Sequence, residues 1–162
     1  MDTVKYCLGN CCIKYCLGCR YCFENSGQCA QEDDVKIIVN DLFSSDLAIV
    51  ASPSYWGDVT GQMKVFFDRC TPYCDIKNLK TEKPMSKGIA VAVRAGMNKE
   101  ENNKIISSIE HFLGHLNISM ISSFTEEGID TIKDLENNAA VLEDAYNFGK
   151  RICSIIMEGV GK

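Results

Sequence analysis

The sequence predicts an α/β fold: one domain built on a parallel sheet, with helices packed on both faces to make three layers. Three observations carry this. Residues 47–51 and 89–93 are short, unbroken apolar runs of the kind shown by parallel strands buried on both faces. Stretches with apolar residues at helical spacing lie between and after them, so strands and helices alternate along the chain. A polar loop follows each run, and in open parallel sheets the ligand sits just outside the carboxyl ends of the strands.

Length and charge narrow the function. The 162 residues suit a single domain with an ordinary core. A net charge of −5, with the basic residues scattered, argues against nucleic acid as a partner. Nothing approaches a membrane span, and the N-terminus lacks the basic-then-apolar layout of a signal peptide, so the expected location is cytoplasmic. In that compartment ten cysteines read as metal ligands or redox groups rather than disulfides.

Taken in order, residues 3–8 predict a short strand, and residues 10–31 a cysteine-rich loop turned by Gly18 and Gly27. Asp33 or Asp34 then caps a helix whose Val35, Ile38, Val39 and Leu42 share one face. After the strand at 47–51 and the loop at 52–58, Met63, Phe66, Phe67 and Cys70 give the next helix its apolar stripe. Residues 71–86, with Pro72 and Pro84 among charges, form a connection. The strand at 89–93 ends in the polar loop 94–98. Ile105, Ile106, Ile109, Phe112, Leu113 and Leu116 mark a long amphipathic helix. Residues 118–123 form a strand whose mixed alternation places it near a sheet edge. Leu135, Ala139, Leu142, Tyr146, Gly149, Cys153 and Ile156 give the closing helix its stripe, with Cys153 a core residue.

Two stretches carry chemistry. Cys16, Cys19, Cys22 and Cys29 read C-x2-C-x2-C-x6-C. Three thiolates so close together can turn around one compact centre that a fourth completes, which is how cubane iron–sulfur clusters are held. Structural zinc more often uses two separated pairs, and reduced thiols without metal are the third reading. Cys7, Cys11 and Cys12 lie just before this motif and are read as bystanders. The second stretch is Ser52, Pro53, Ser54, Tyr55, Trp56 and Gly57. Its two flat side chains and backbone amides suit an aromatic cofactor, while packing of a rigid loop is the plainer alternative. Arg94 and Gly96 end the neighbouring strand and are candidates to complete the crevice, Arg94 being equally readable as a solvated loop charge. His111 and His115, at i and i+4, lack the glutamate of a zinc-protease pattern and read as two surface histidines. Neither a catalytic serine triad nor a GxxxxGK[ST] phosphate loop is present.

With both stretches in view, the sequence resembles the iron–sulfur flavoprotein branch of the NADPH-dependent FMN reductase, flavodoxin-like superfamily. CLGCRYCFENSGQC followed by EDDVKII, and ASPSYWGDVTGQMKVFFDR, carry the resemblance over nearly the whole chain. It implies that Pro53, Ser54, Tyr55, Trp56 and Gly57 hold an FMN ring. It further implies that Cys16, Cys19, Cys22 and Cys29 bind a [4Fe–4S] cluster passing electrons to that ring. Reduced ferredoxin or NAD(P)H would be the electron donor, a small molecule the acceptor. A homodimer or homotetramer would bring cluster and flavin together across a subunit contact. A flavin reductase with plain thiols and a non-catalytic metal-binding protein are the alternatives. The family opens with a strand, a phosphate-binding loop and a helix, whereas residues 3–8 here align with its second strand. A unit of about 30 residues is therefore expected to be absent, leaving the strand at 47–51 with an unpaired edge. Either Met1 is internal to a longer reading frame or the chain is a rearranged relative. The segment RAGMNKE also lacks the run of glycines usual after the second apolar strand.

Overall fold

The computed structural model describes residues 2–74 and 86–160. Its strands are β1 (Leu47–Pro53), β2 (Lys87–Arg94) and β3 (Ser119–Glu127). They form one parallel sheet in the order β1-β2-β3, with Leu47 opposite Lys87 and Lys87 opposite Ser119. The helices are α1 (Tyr21–Glu24), α2 (Val35–Ser44), α3 (Gly61–Arg69), α4 (Lys99–His115), α5 (Ile132–Glu136) and α6 (Ala139–Val160). Parallel strands need crossovers, and here α3 and α4 supply them.

Alternation along the central strand sorts the helices between two layers. Ala90 and Ala92 face a core made with Val35, Ile38 and Val39 of α2, Met63 and Phe66 of α3, and Ile105, Ile109, Phe112 and Leu113 of α4. Ile89 and Val91 point the other way, onto Ile152, Ile156 and Phe148 of α6. The small alanines let α4 approach closely. Gly88 continues this: a Cβ there would lie 2.7 Å from Leu113 Cδ1. Phe67 stacks on Phe112, with ring centroids 4.0 Å apart, and locks α3 to α4.

Four expectations need correction. Residues 3–8 form no strand; only a 3-10 turn at Leu8–Asn10 is regular. The reason is that Leu8, Cys11 and Ile13 pack on the helical layer instead of beside the sheet. β1 is not buried on both faces, since Ile49 is 63% exposed and Ala51 and Pro53 are open as well. An apolar run is covered only where a second layer reaches it, and α6 lies over β2 and β3. The closing helix also presents a different face. Of the predicted stripe Ile156 is buried, together with Val141 and Ile152, whereas Ala139, Leu142, Tyr146, Gly149 and Cys153 are exposed and Leu135 belongs to α5. Both stripes repeat at helical spacing, and only the one carrying the isoleucines meets the sheet. Cys153 is thus a surface thiol. The connection expected across 71–86 is described at its ends, a 3-10 turn at Thr71–Tyr73 and Ser86 before β2; residues 75–85, Pro84 among them, lie outside the described residues.

Candidate cofactor sites

The loop after β1 is built to present aromatic surface. Ser54 N–H donates to Val93 O at 2.8 Å and carries the ladder past the end of β1. Tyr55 and Asp58 then exchange both backbone hydrogen bonds, at 3.0 and 3.1 Å, around a two-residue turn. The central residues Trp56 and Gly57 have φ of 57° and 72°, the mirror-image type I geometry. Glycine takes that conformation freely, but a bulky residue does so at a cost. Strain of this kind, about 1–3 kcal/mol, clusters at ligand clamps. Trp56 is held with its side chain fully exposed and Tyr55 beside it largely exposed. Ser52 is buried and fixes the base of the loop, its hydroxyl accepting from Thr60 N–H at 3.1 Å and donating to Pro53 O at 3.0 Å. Thr60 in turn caps α3 by accepting from Met63 N–H.

The ends of β1 and β2 meet through one acidic residue that sequence reading missed. Glu101 Oε2 accepts from Ser54 Oγ at 3.3 Å and pairs with Arg94 Nη1 at 3.0 Å. Arg94 Nη1 also donates to Asn98 O at 2.7 Å, so it is a held charge rather than a solvated one. Gly96 makes room for it: a Cβ there would meet Arg94 Nη2 at 2.6 Å. Gly57 lies against the Glu101 side chain. The structure therefore brings Ser52, Pro53, Ser54, Tyr55, Trp56, Gly57, Arg94 and Gly96 to one edge of the sheet. Glu101 lies in the first turn of α4, ahead of the apolar stripe by which the sequence marked that helix.

The cysteine loop is a separate region. Gly18 and Gly27 have positive φ, as do Arg20 and Ser26, so the chain turns repeatedly around the thiols. Cys16 and Cys19 are exposed, Cys22 and Cys29 half-buried. Among the described residues, no three histidine, cysteine, aspartate or glutamate side chains are gathered closely enough to hold a metal ion. The four thiols match the donors of an iron–sulfur cluster in kind and number, but the structure does not gather them around one point. The base of the loop is tied down by a second missed residue. Arg69, at the end of α3, is 2% exposed and forms a two-pronged ion pair with the buried Asp33. The same guanidinium donates to Lys14 O at 2.9 Å and to Cys29 Sγ at 3.6 Å. A charged side chain in a helix's last turn ordinarily reads as solvated, and its partner Asp33 lies 36 residues away, so no local pattern marks the pair.

On α4, His111 and His115 stand exposed with Nε2 atoms 3.2 Å apart. No helix of the described residues is long and apolar enough to cross a membrane.

Comparison with known proteins gives a consistent family. A family model described as NADPH-dependent FMN reductase matches residues 4–125. An iron-sulfur flavoprotein of Methanocaldococcus jannaschii is 31% identical over 147 residues, covering 87% of this chain and 74% of that protein. An iron-sulfur flavoprotein of Archaeoglobus fulgidus is 40% identical over 89 residues, or 55% of this chain, and the match spans 38% of that relative's length. Among solved structures, a flavone reductase has a similar fold, with a TM-score of 0.65 at 13% identity over 93% of this chain and 50% of that one. The Trp repressor binding protein of Bacillus subtilis follows at 0.53 and 22% identity, covering 68% of each chain.

Proposed function

Because the chain belongs to the NADPH-dependent FMN reductase family, we propose that it is a flavin-dependent oxidoreductase with an FMN site at Ser52, Pro53, Ser54, Tyr55, Trp56 and Gly57 and a [4Fe–4S] site on Cys16, Cys19, Cys22 and Cys29. The observation that carries this reading is the Tyr55–Asp58 turn, where Trp56 is held at positive φ with its ring unburied at the carboxyl edge of a parallel sheet. When bound, the flavin supplies hydride and single-electron chemistry and the cluster single-electron transfer. The protein's part is to hold and orient. Tyr55 and Trp56 offer faces to the ring and shield it from water, and the turn amides address its polar edge. Arg94, fixed by Glu101 and Asn98, places a cation beside it.

Reduced ferredoxin or NAD(P)H is the expected electron donor, and a small molecule the acceptor. A homodimer or homotetramer is the expected assembly. The aromatic loop precedes α3, whereas Cys29 is held by Arg69 at the helix's other end, and a nine-residue helix spans roughly 13 Å. A second chain would shorten that path. We also read the sheet as lacking the family's first strand and helix, in keeping with β1 having one hydrogen-bonded neighbour among the described residues and with the open face at Ile49. A flavin reductase without a cluster is the second reading, favoured by the spread of the four thiols.

Anaerobic purification followed by iron, sulfide and flavin assays separates the two. The first reading expects iron near four per chain together with FMN. It also expects Cys19→Ser to lose iron and keep flavin, and Gly57→Leu to lose flavin. Flavin without iron in the unaltered protein selects the second reading, and flavin unchanged by Gly57→Leu overturns the ring site.

A further inference from the structure

We propose that the aromatic loop selects an uncharged flavin, riboflavin in preference to FMN, because the groups around it are already committed in ways that disfavour a phosphate. This inference rests on the flavin-ring reading above and narrows the ligand of that site. A phosphate is ordinarily held by free N–H groups at a helix start or by cations available to pair with it. Among the described residues, each helix of eight residues or more opens on an acceptor of its own. Asp33 accepts from Val35 N–H at 3.3 Å for α2, and Thr60 from Met63 N–H at 3.2 Å for α3. Asn98 accepts from Glu100 N–H at 3.1 Å for α4, and Asn138 from Val141 N–H at 3.4 Å for α6. Even the short α5 closes on itself, through the capping box of Thr131 and Asp134. The first turn of α4 also carries two carboxylates, Glu100 and Glu101, and the second of them lies against Gly57 in the loop itself.

The charges point the same way. Arg94 Nη1 is engaged by the Glu101 carboxylate and by Asn98 O, so a phosphate there would have to displace an anion already seated. Residues 54–60, 94–101 and 126–134, at the carboxyl ends of the strands, hold seven carboxylates against three cations, an excess close to the net charge of −5 of the whole chain. Glu126 registers that field: burial, then Glu127 and Asp144, push its carboxyl up, and Lys99 only partly offsets them. The phosphate of FMN brings roughly two negative charges into such surroundings at neutral pH. The ring brings none, and what the loop presents, the exposed faces of Tyr55 and Trp56, suits a flat and neutral ligand.

The test is equilibrium dialysis of the unaltered protein, stripped of any bound flavin, against riboflavin and against FMN at low and at physiological ionic strength, with bound flavin counted by absorbance. Riboflavin is expected to bind more tightly than FMN at low ionic strength by about fivefold, the scale of one like-charge contact in water. Salt should narrow that gap by strengthening FMN alone. Glu100→Lys reverses one exposed charge in the first turn of α4 and should narrow the gap as well, with riboflavin binding as the control for folding. FMN bound more tightly than riboflavin, or weakened by salt, overturns the proposal and leaves the ring site standing. A gap that neither salt nor the substitution narrows overturns its electrostatic cause, and the proposal with it. Binding of neither flavin overturns the ring site itself, and this inference falls with it.

Discussion

Asp33 carries the acid sensitivity of the cysteine loop. Burial opposes its ionisation, but the Arg69 guanidinium and the N–H groups of Lys14 and Val35 outweigh that, holding the carboxyl below the usual aspartate range. A depressed native value means that its contribution is fully present above the unfolded aspartate range and is lost as pH falls through the native one. Hydrogen exchange at the Lys14 amide, corrected for intrinsic rate, should therefore accelerate on acidification, and Asp33→Asn should abolish that step. Asp33→Ala strands a buried cation and should cost about 3–5 kcal/mol in urea unfolding. Cys70 is the opposite kind of residue. Burial, then the neighbouring Cys74, push its thiol far above the ordinary range. In native, iron-free protein at neutral pH, iodoacetamide should modify exposed Cys16 and Cys19 and spare Cys70, as mass spectrometry of the peptides would show. The burial of Cys70 was legible, because it sits on an apolar stripe with Met63 and Phe66. That of its neighbour Arg69 was not, since a charge is buried only by partners that are distant in sequence.

At the scale of elements, spacing located the helices better than it oriented them. The stripes of α2 and α4 are the buried faces, because each helix has a single run of apolar positions to offer. α6 has two, and the choice between them depends on the sheet it meets. The loop after β1 was placed by the end of an apolar run, while its turn type depends on Trp56 accepting a conformation that its residue type disfavours. Two substitutions test the packing described. Thr60→Ala removes the cap of α3 and should destabilise by about 1 kcal/mol. Gly88→Ala drives a methyl into Leu113 and Ile118 and should cost about 1–3 kcal/mol, without affecting the loop after β1. Urea titrations with a flavin assay on the same samples would separate the two effects.

For the whole molecule, the alternation of strands and helices was enough to predict a parallel sheet between helical layers, but not how completely each layer covers it. β1 has one hydrogen-bonded neighbour among the described residues, and its outer face exposes Ile49. The outward stripe of α6 leaves Leu142, Tyr146 and Met157 exposed as well. Such edges and patches drive association. Sedimentation velocity should show a concentration-dependent species larger than one chain, diminished by Ile49→Lys. The strained turn has one more consequence. Trp56 is the sole tryptophan in the sequence, and it stands wholly in solvent at the tip of the loop proposed for the flavin. Its ultraviolet emission is therefore a built-in optical probe of that one spot, red-shifted as in water and free of signal from the core. Adding FMN should quench it in proportion to occupancy, so a cuvette titration reads the site directly, with no label attached and no turnover required.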